Sequence, residues 1–174
     1  LDAAIGDGDH GINMRRGMEA IRAERAAILA APPGAALEIA GRQIVMKVGG
    51  AAGPLFGTLL LQAGRSWPTL VTRPGIAAAL AAAHVAVCAR GKSEPGQKTL
   101  LDVLAPVVEA LGRGDGFAGV AAAARAGAEA TVPMRALRGR ASFLGERSIG
   151  HMDPGARTLQ LIVEAIVDVL EGRA

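Results

Sequence analysis

Aromatic residues are nearly missing from this chain: its 174 residues include one Trp, three Phe and no Tyr. Aromatic and β-branched side chains are what pleated sheets pack with, so a strand-rich fold has little to build from. A single cysteine, Cys88, excludes an internal disulfide and fits a reducing, cytoplasmic setting. No apolar run is both long and uncharged enough to span a membrane, and no signal peptide opens the chain. Residues 76–89 come nearest, but they are few and rich in alanine, and read as a buried helix. An excess of one charge is missing as well, since 19 Lys and Arg against 16 Asp and Glu leave a net +3. The arginines are scattered and have no aromatics to stack beside, which argues against a nucleic-acid partner.

What is abundant is alanine, glycine and aliphatic side chains. Hydrophobic residues make up 51% of the chain, and alanine and leucine favour helix, so the expected class is all-α. The length suits one domain with a real core and is short for two, so 1–174 reads as a single domain. Apolar periodicity predicts helices at 12–31 (Met14, Met18, Ile21, Ile28), 36–48 (Leu37, Gly41, Ile44, Val45, Val48) and 55–66. A fourth runs from Thr72-Arg73-Pro74 to about Arg90, and being apolar nearly all round it is expected at the centre of a bundle. A fifth covers 99–111, kinked at Pro106, and a sixth is capped by Asp115 and interrupted at Pro133. The last opens on Asp153 as N-cap with Pro154 in its first turn, and turns Leu159, Ile162, Val163, Ile166 and Leu170 inward. Between the helices lie four segments rich in glycine or reactive side chains: 2–13, 49–54, 90–98 and 139–155. In an up-and-down bundle, loops at one end converge on one site.

The first segment carries Asp2, Asp7 and Asp9 together with Gly6, Gly8, Gly11, His10 and Asn13. Carboxylates this close repel one another unless a cation lies between them, and glycine lets the backbone fold tightly enough to gather them. Oxygen ligands without cysteine favour a hard ion such as Mg²⁺, which takes its remaining ligands from water and phosphate. The plainer alternative for Asp7 and Asp9 is a solvated turn, since Asp-Gly is a common turn dipeptide. Residues 6–11 match G-x-G-x-x-G literally, yet no strand precedes them and two aspartates would face the pyrophosphate. An EF-hand fails too, because its twelfth position is Met18 counted from Asp7 and Asn13 counted from Asp2. A Walker A loop ending at Gly91-Lys92-Ser93 would need a glycine where Ala86 stands. Small residues at 49–54 either bare backbone N–H groups to an anion or simply separate two helices. His10 reads equally as a ligand contact and as a satisfied loop residue, and His84 as a hydrogen-bonded core residue. Arg140, Arg147, His151 and Asp153 gather in one long loop, and loops of that length in small domains are usually functional.

Four stretches together resemble the DhaL family, the nucleotide-binding subunits of dihydroxyacetone kinase: LDAAIGDGDHGINM (1–14), GGAAGPLFGTLL (49–60), RGKSEPGQKTLLDVLAP (90–106) and GRASFLGERSIGHMDPGA (139–156). The resemblance implies a barrel of antiparallel amphipathic helices with a nucleotide at one end. It implies that Asp2, Asp7 and Asp9 hold two Mg²⁺ ions on the diphosphate, and that these aspartates and His10 form the catalytic set. By the same likeness His10, Gly11, Ile12, Asn13, Ala51, Ala52, Gly91, Leu100, Arg140, Asp153, Pro154 and Gly155 contact ADP or ATP. Phosphate would come from a phosphohistidine carrier protein of the phosphotransferase system and pass to dihydroxyacetone on a separate kinase subunit, with positioning and metal charge as the catalytic device. A homodimer is compatible with this reading. The signature would look the same in an ATP-dependent single-chain kinase, and a nucleotide-bound partner of a transcription factor could share it. A fatty-acid kinase domain would carry Thr in place of His10. Two departures stand out. Ala52 occupies a position where many relatives have Ser, so backbone N–H must serve there. The chain also opens inside a motif without an initiator Met, where the family has a leading helix, so residues before Leu1 are expected. The finish after the last helix favours a subunit over a domain of a longer enzyme.

Overall fold

The computed structural model describes residues 1–173. They are helical, with no strand among the described residues, so the all-α class expected from composition is the one observed. In chain order the elements are α1 (Asp2–Ile5), α2 (His10–Ala23), α3 (Arg25–Ala30), α4 (Pro33–Lys47), α5 (Ala52–Arg65), α6 (Arg73–Gly91), α7 (Leu101–Arg113), α8 (Phe117–Ala130), a 3₁₀ segment (Arg140–Ser148) and α9 (Pro154–Leu170). They fall into two compact units, one made of residues 1–8 and 94 onward, the other of residues 9–93.

The unit of residues 9–93 is built on glycines. A Cβ on Gly34 would lie 2.7 Å from the Gly64 carbonyl, and one on Gly41 3.2 Å from the Gly57 carbonyl. Gly53 lies equally hard against the Val48 carbonyl. Numbers rise along α4 as they fall along α5, so the two helices run antiparallel with their backbones in near contact. α2 packs on α4 in the same sense: Gly17 faces Ile44 and Val48, while Glu24 accepts a hydrogen bond from Gln43 at 3.4 Å. The single helix expected over 12–31 is divided at Glu24, whose ψ of 12° leaves the helical range. Met14 is buried as expected, but Met18 is 41% exposed.

α6 departs further from expectation. Its nineteen residues make it long and apolar enough to cross a membrane by length and composition. Within this unit it buries a single face, Ala77, Ala79, Ala83 and Val87, and packs against α5, while Val85 is 67% exposed. It is therefore not the central helix that its composition suggested. Alanine scores as apolar but carries one methyl group, so an alanine-rich helix looks core-like on paper while demanding little burial. His84 is only partly buried and sits 3.6 Å from Cys88 Sγ, one turn away.

The other unit packs α7 on α8 and α8 on α9. α7 buries Leu101, Val103, Leu104, Val107 and Ala110 on one face, with Pro106 inside the helix. α8 approaches it through Gly127, where a Cβ would meet the Val103 Cα at 3.0 Å. Asp115 is not the cap of α8; Gly116 is, and Asp115 instead pairs with Arg113 at 2.8 Å. α9 does start on an Asp153 cap, as the sequence suggested, but its inner face is rotated. Ala156, Leu159, Gln160 and Val167 are buried, whereas Ile166 and Leu170 are more than half exposed. α9 is also joined to α8 by a polar contact: Arg125 donates to Glu164 at 2.8 Å, and Gln160 donates to the same carboxylate at 3.2 Å.

Candidate functional site

The acidic opening is held by its one buried hydrophobic residue, Ile5. Ile5 is 2% exposed and packs with Ala136, Ala141 and Leu144, which fixes α1 against the 3₁₀ segment. Gly6 then closes the turn, its N–H donating to the Asp2 carbonyl at 2.6 Å. A Cβ at Gly6 would overlap the Asp2 carboxylate, and Gly8 takes a φ of +78°, so glycine is required at both. The consequence is that one carboxylate oxygen from each of Asp2, Asp7 and Asp9 lies within 4.8 Å of the others. Asp7 and Asp9 are exposed and Asp2 is half-buried. Three carboxylates so close, offering only oxygen, fit a hard divalent cation: without one their charges repel. Arg140 supplies one positive charge, its Nη1 2.5 Å from Asp7 Oδ2. A shallow cleft beside this pair, of about 360 Å³, is lined by Ile5, Gly6, Asp7, Arg140, Phe143 and Leu144.

In the unit of residues 9–93, His10, Gly11, Ile12 and Asn13 form the first turn of α2, two residues earlier than periodicity placed its start. Asn13 is 7% exposed, and its side-chain amide lies beside the Cα of Gly49, where a Cβ would come within 3.3 Å. Gly50 takes a φ of +65°, and α5 begins at once from Ala52. No side chain caps α5, so the first-turn N–H groups that Ala51, Ala52 and Gly53 carry are left to a ligand or to water. Gly91 ends α6, followed by Lys92 in the left-handed region.

In the other unit, Arg140 pairs with Asp7, while Asp153 is held through Thr131, a residue that sequence reasoning passed over. Asp153 Oδ2 accepts from the Ala156 N–H at 2.7 Å, and the Asp153 N–H donates to Thr131 Oγ1 at 3.0 Å. Gly155 faces Leu100, where a Cβ would meet the Leu100 Cβ at 3.7 Å. Beneath them lies Lys98, only 1% exposed. Its Nζ donates to the carbonyls of Thr131 at 2.7 Å, Met134 at 3.0 Å and His151 at 2.5 Å. Asp102 is buried nearby, with Oδ1 and Oδ2 accepting from the N–H groups of Gly96 at 2.5 Å and Thr99 at 2.7 Å. Burial pushes the Asp153 carboxyl up to about 6, a rise that Asp102 reinforces and that the Ala156 N–H and Lys98 oppose. Burial likewise lowers the Lys98 ammonium, with Asp153 opposing. Nothing in the sequence marks Lys98 except that it ends a loop and precedes an apolar helix. His151 contributes its backbone, and Arg147 is exposed.

Known proteins bear on this arrangement. A family model, the DAK2 domain, matches residues 4–168. The ADP-binding subunit DhaL of PEP-dependent dihydroxyacetone kinase 1 from Listeria innocua is 42% identical over 168 residues, spanning 96% of this chain and 83% of that protein. Its Escherichia coli counterpart is 38% identical over 176 residues, spanning 95% and 84%. Both are named as kinase subunits. Among solved structures, the native dihydroxyacetone kinase of C. freundii superposes with a TM-score of 0.74 at 22% identity over 97% of this chain, which shows the shared fold. The same enzyme crystallised with AMP-PNP and Mg²⁺ gives 0.71 at 25% identity. This chain spans 30% and 29% of those two chains. With a family model matched along nearly its whole length and subunits of similar extent so close in sequence, the chain belongs to the DAK2 domain family.

Proposed function

We propose that this chain is the ADP-binding, phosphoryl-transferring component of a dihydroxyacetone kinase, working as a single nucleotide-binding domain in the cytoplasm. The observation that carries the reading is the gathering of Asp2, Asp7 and Asp9 within 4.8 Å of one another. The printed names of relatives support it, since two are ADP-binding subunits of such kinases and a related structure was solved with AMP-PNP and Mg²⁺. The three aspartates would hold two Mg²⁺ ions, and these would spread the charge of a phosphoryl group passing from a phosphohistidine carrier protein, by way of bound nucleotide, to dihydroxyacetone on the partner subunit.

The chain's own residues have distinct tasks. Gly6 and Gly8 let the backbone gather the aspartates, and Arg140 offsets the charge of Asp7. The uncapped start of α5 at Ala51 and Ala52 presents backbone N–H to phosphate, which suits a chain with no hydroxyl at position 52. His10 to Asn13, Gly91, Leu100, Arg140 and Asp153 to Gly155 complete the nucleotide contacts, and His10 joins the aspartates in the catalytic set.

The test is to purify the chain, ask whether ADP and Mg²⁺ accompany it, and measure dihydroxyacetone phosphorylation with its substrate-binding partner. A phosphohistidine carrier should sustain turnover and free ATP should not. Turnover on free ATP alone would assign the chain to an ATP-dependent kinase instead. Nucleotide binding without turnover from either donor would favour a regulatory partner.

A further inference from the structure

Lys98 is the most deeply buried charge among the described residues, at 1% exposed, yet it touches none of the groups that the proposed chemistry uses directly. Its backbone takes a φ of +62°, a left-handed conformation that lysine adopts only where the surroundings compel it. The side chain gathers three carbonyls from two separate segments, Thr131 and Met134 on one and His151 on the other. Those segments are laced together elsewhere: the Gly150 N–H donates to the Val132 carbonyl at 2.8 Å, and the Ala136 N–H to Ser148 Oγ at 2.9 Å. Thr131 carries the network onward, because its Oγ1 accepts the N–H of Asp153, the residue that caps α9. Two residues along, Leu100 lies against Gly155. Lys98 thus joins the entry to α7 and the entry to α9 through one buried ammonium group.

We propose that Lys98 is a positioning residue for nucleotide binding, acting through Thr131 to hold the turn Asp153–Gly155 and Leu100 in the geometry that receives the nucleotide. Simple stabilisation could be supplied by an apolar side chain, since a buried cation costs heavily in desolvation and an apolar replacement is often neutral or better. An ammonium surrounded by carbonyls fixes three backbone positions at once, with directional bonds that an apolar contact lacks.

The inference rests on the nucleotide reading above, and the experiment separates the two. ADP with Mg²⁺ is titrated calorimetrically into the full chain and into Lys98→Met, Thr131→Val and Thr131→Ser, with circular dichroism and thermal melting of each. Lys98→Met is expected to weaken ADP binding roughly tenfold or more while the helical spectrum persists, as displacement of binding groups by a fraction of an ångström can do. Thr131→Val should weaken binding in the same direction, and Thr131→Ser, which keeps the hydroxyl, should restore it. In turnover assays the loss should fall on the apparent KM for nucleotide, with kcat at saturation retained. Folded Lys98→Met and Thr131→Val proteins that bind ADP as the parent does would overturn the proposal, as would a drop in melting temperature without a change in affinity. If Lys98→Met does not fold, the two Thr131 variants decide. A parent chain that binds no ADP refutes the nucleotide reading itself.

Discussion

At the scale of the residue, Asp7 is the most informative position, because it belongs both to the carboxylate group and to the ion pair with Arg140. Asp7→Asn removes the charge of a proposed metal ligand from an exposed turn, so the helices should persist while turnover falls by about 100-fold or more. Circular dichroism beside a manganese titration checks both halves, and retained metal binding would sink the assignment. Gly6→Ala should give a milder form of the same defect, since its Cβ would force the Asp2 carboxylate aside. Asp153 carries a pH prediction. Its carboxyl titrates near 6 in the fold against 3.8 in the open chain, so the folded state holds the proton more tightly. Its contribution to stability is therefore complete below about pH 4 and is lost as pH rises through 6, by up to about 3 kcal/mol. Urea unfolding of the parent minus Asp153→Asn, which keeps a capping oxygen, should show a difference that declines across that window and is flat above it.

At the scale of the element, the glycine contact between α4 and α5 decides how residues 48–53 are presented. Gly57 admits no Cβ without pressing on Val45 and on the Gly41 carbonyl. Gly57→Val should cost about 1–3 kcal/mol, the usual result of overpacking. It should also splay the Val48–Ala51 turn, so that chemical denaturation and nucleotide affinity change together; a neutral result would mean that the helices separate at no cost. Helical periodicity found most of these elements, because an amphipathic repeat shows in one dimension. It missed the break at Glu24 and the rotated face of α9, where Gln160 and Ala156 turn inward and Ile166 and Leu170 outward. Neither follows from hydrophobicity. The first depends on how α2 and α3 pack on α4, and the second on which face of α9 its packing against α8 and α7 covers.

At the scale of the whole molecule, binding of nucleotide and metal should appear as stability. A ligand held only by the folded chain adds about 2.7 kcal/mol at a hundred times its dissociation constant. Melting in ADP and Mg²⁺ should therefore occur several degrees above melting in EDTA, and neither ligand alone should give the full shift. Equal melting temperatures under all conditions would count against the metal-bridged diphosphate.

By itself the sequence determined the helical class, the positions of nearly all the helices, the Asp153 cap and the acidic opening. These are local matters: helix propensity, apolar period, capping chemistry and the freedom of glycine are written within a few residues of where they act. The tertiary structure alone decided that α6 buries one face, that Arg140 meets Asp7, and that Lys98 lies beneath Asp153. Each of those depends on residues separated by tens of positions, or on how much of an alanine surface its neighbours can cover. The carboxylates of Asp2, Asp7 and Asp9 could be suspected from spacing, but their closeness rests on Ile5 packing with Ala136, Ala141 and Leu144. An exposed polar site is held in place by an apolar contact more than a hundred residues away in sequence, and only folding brings the two together.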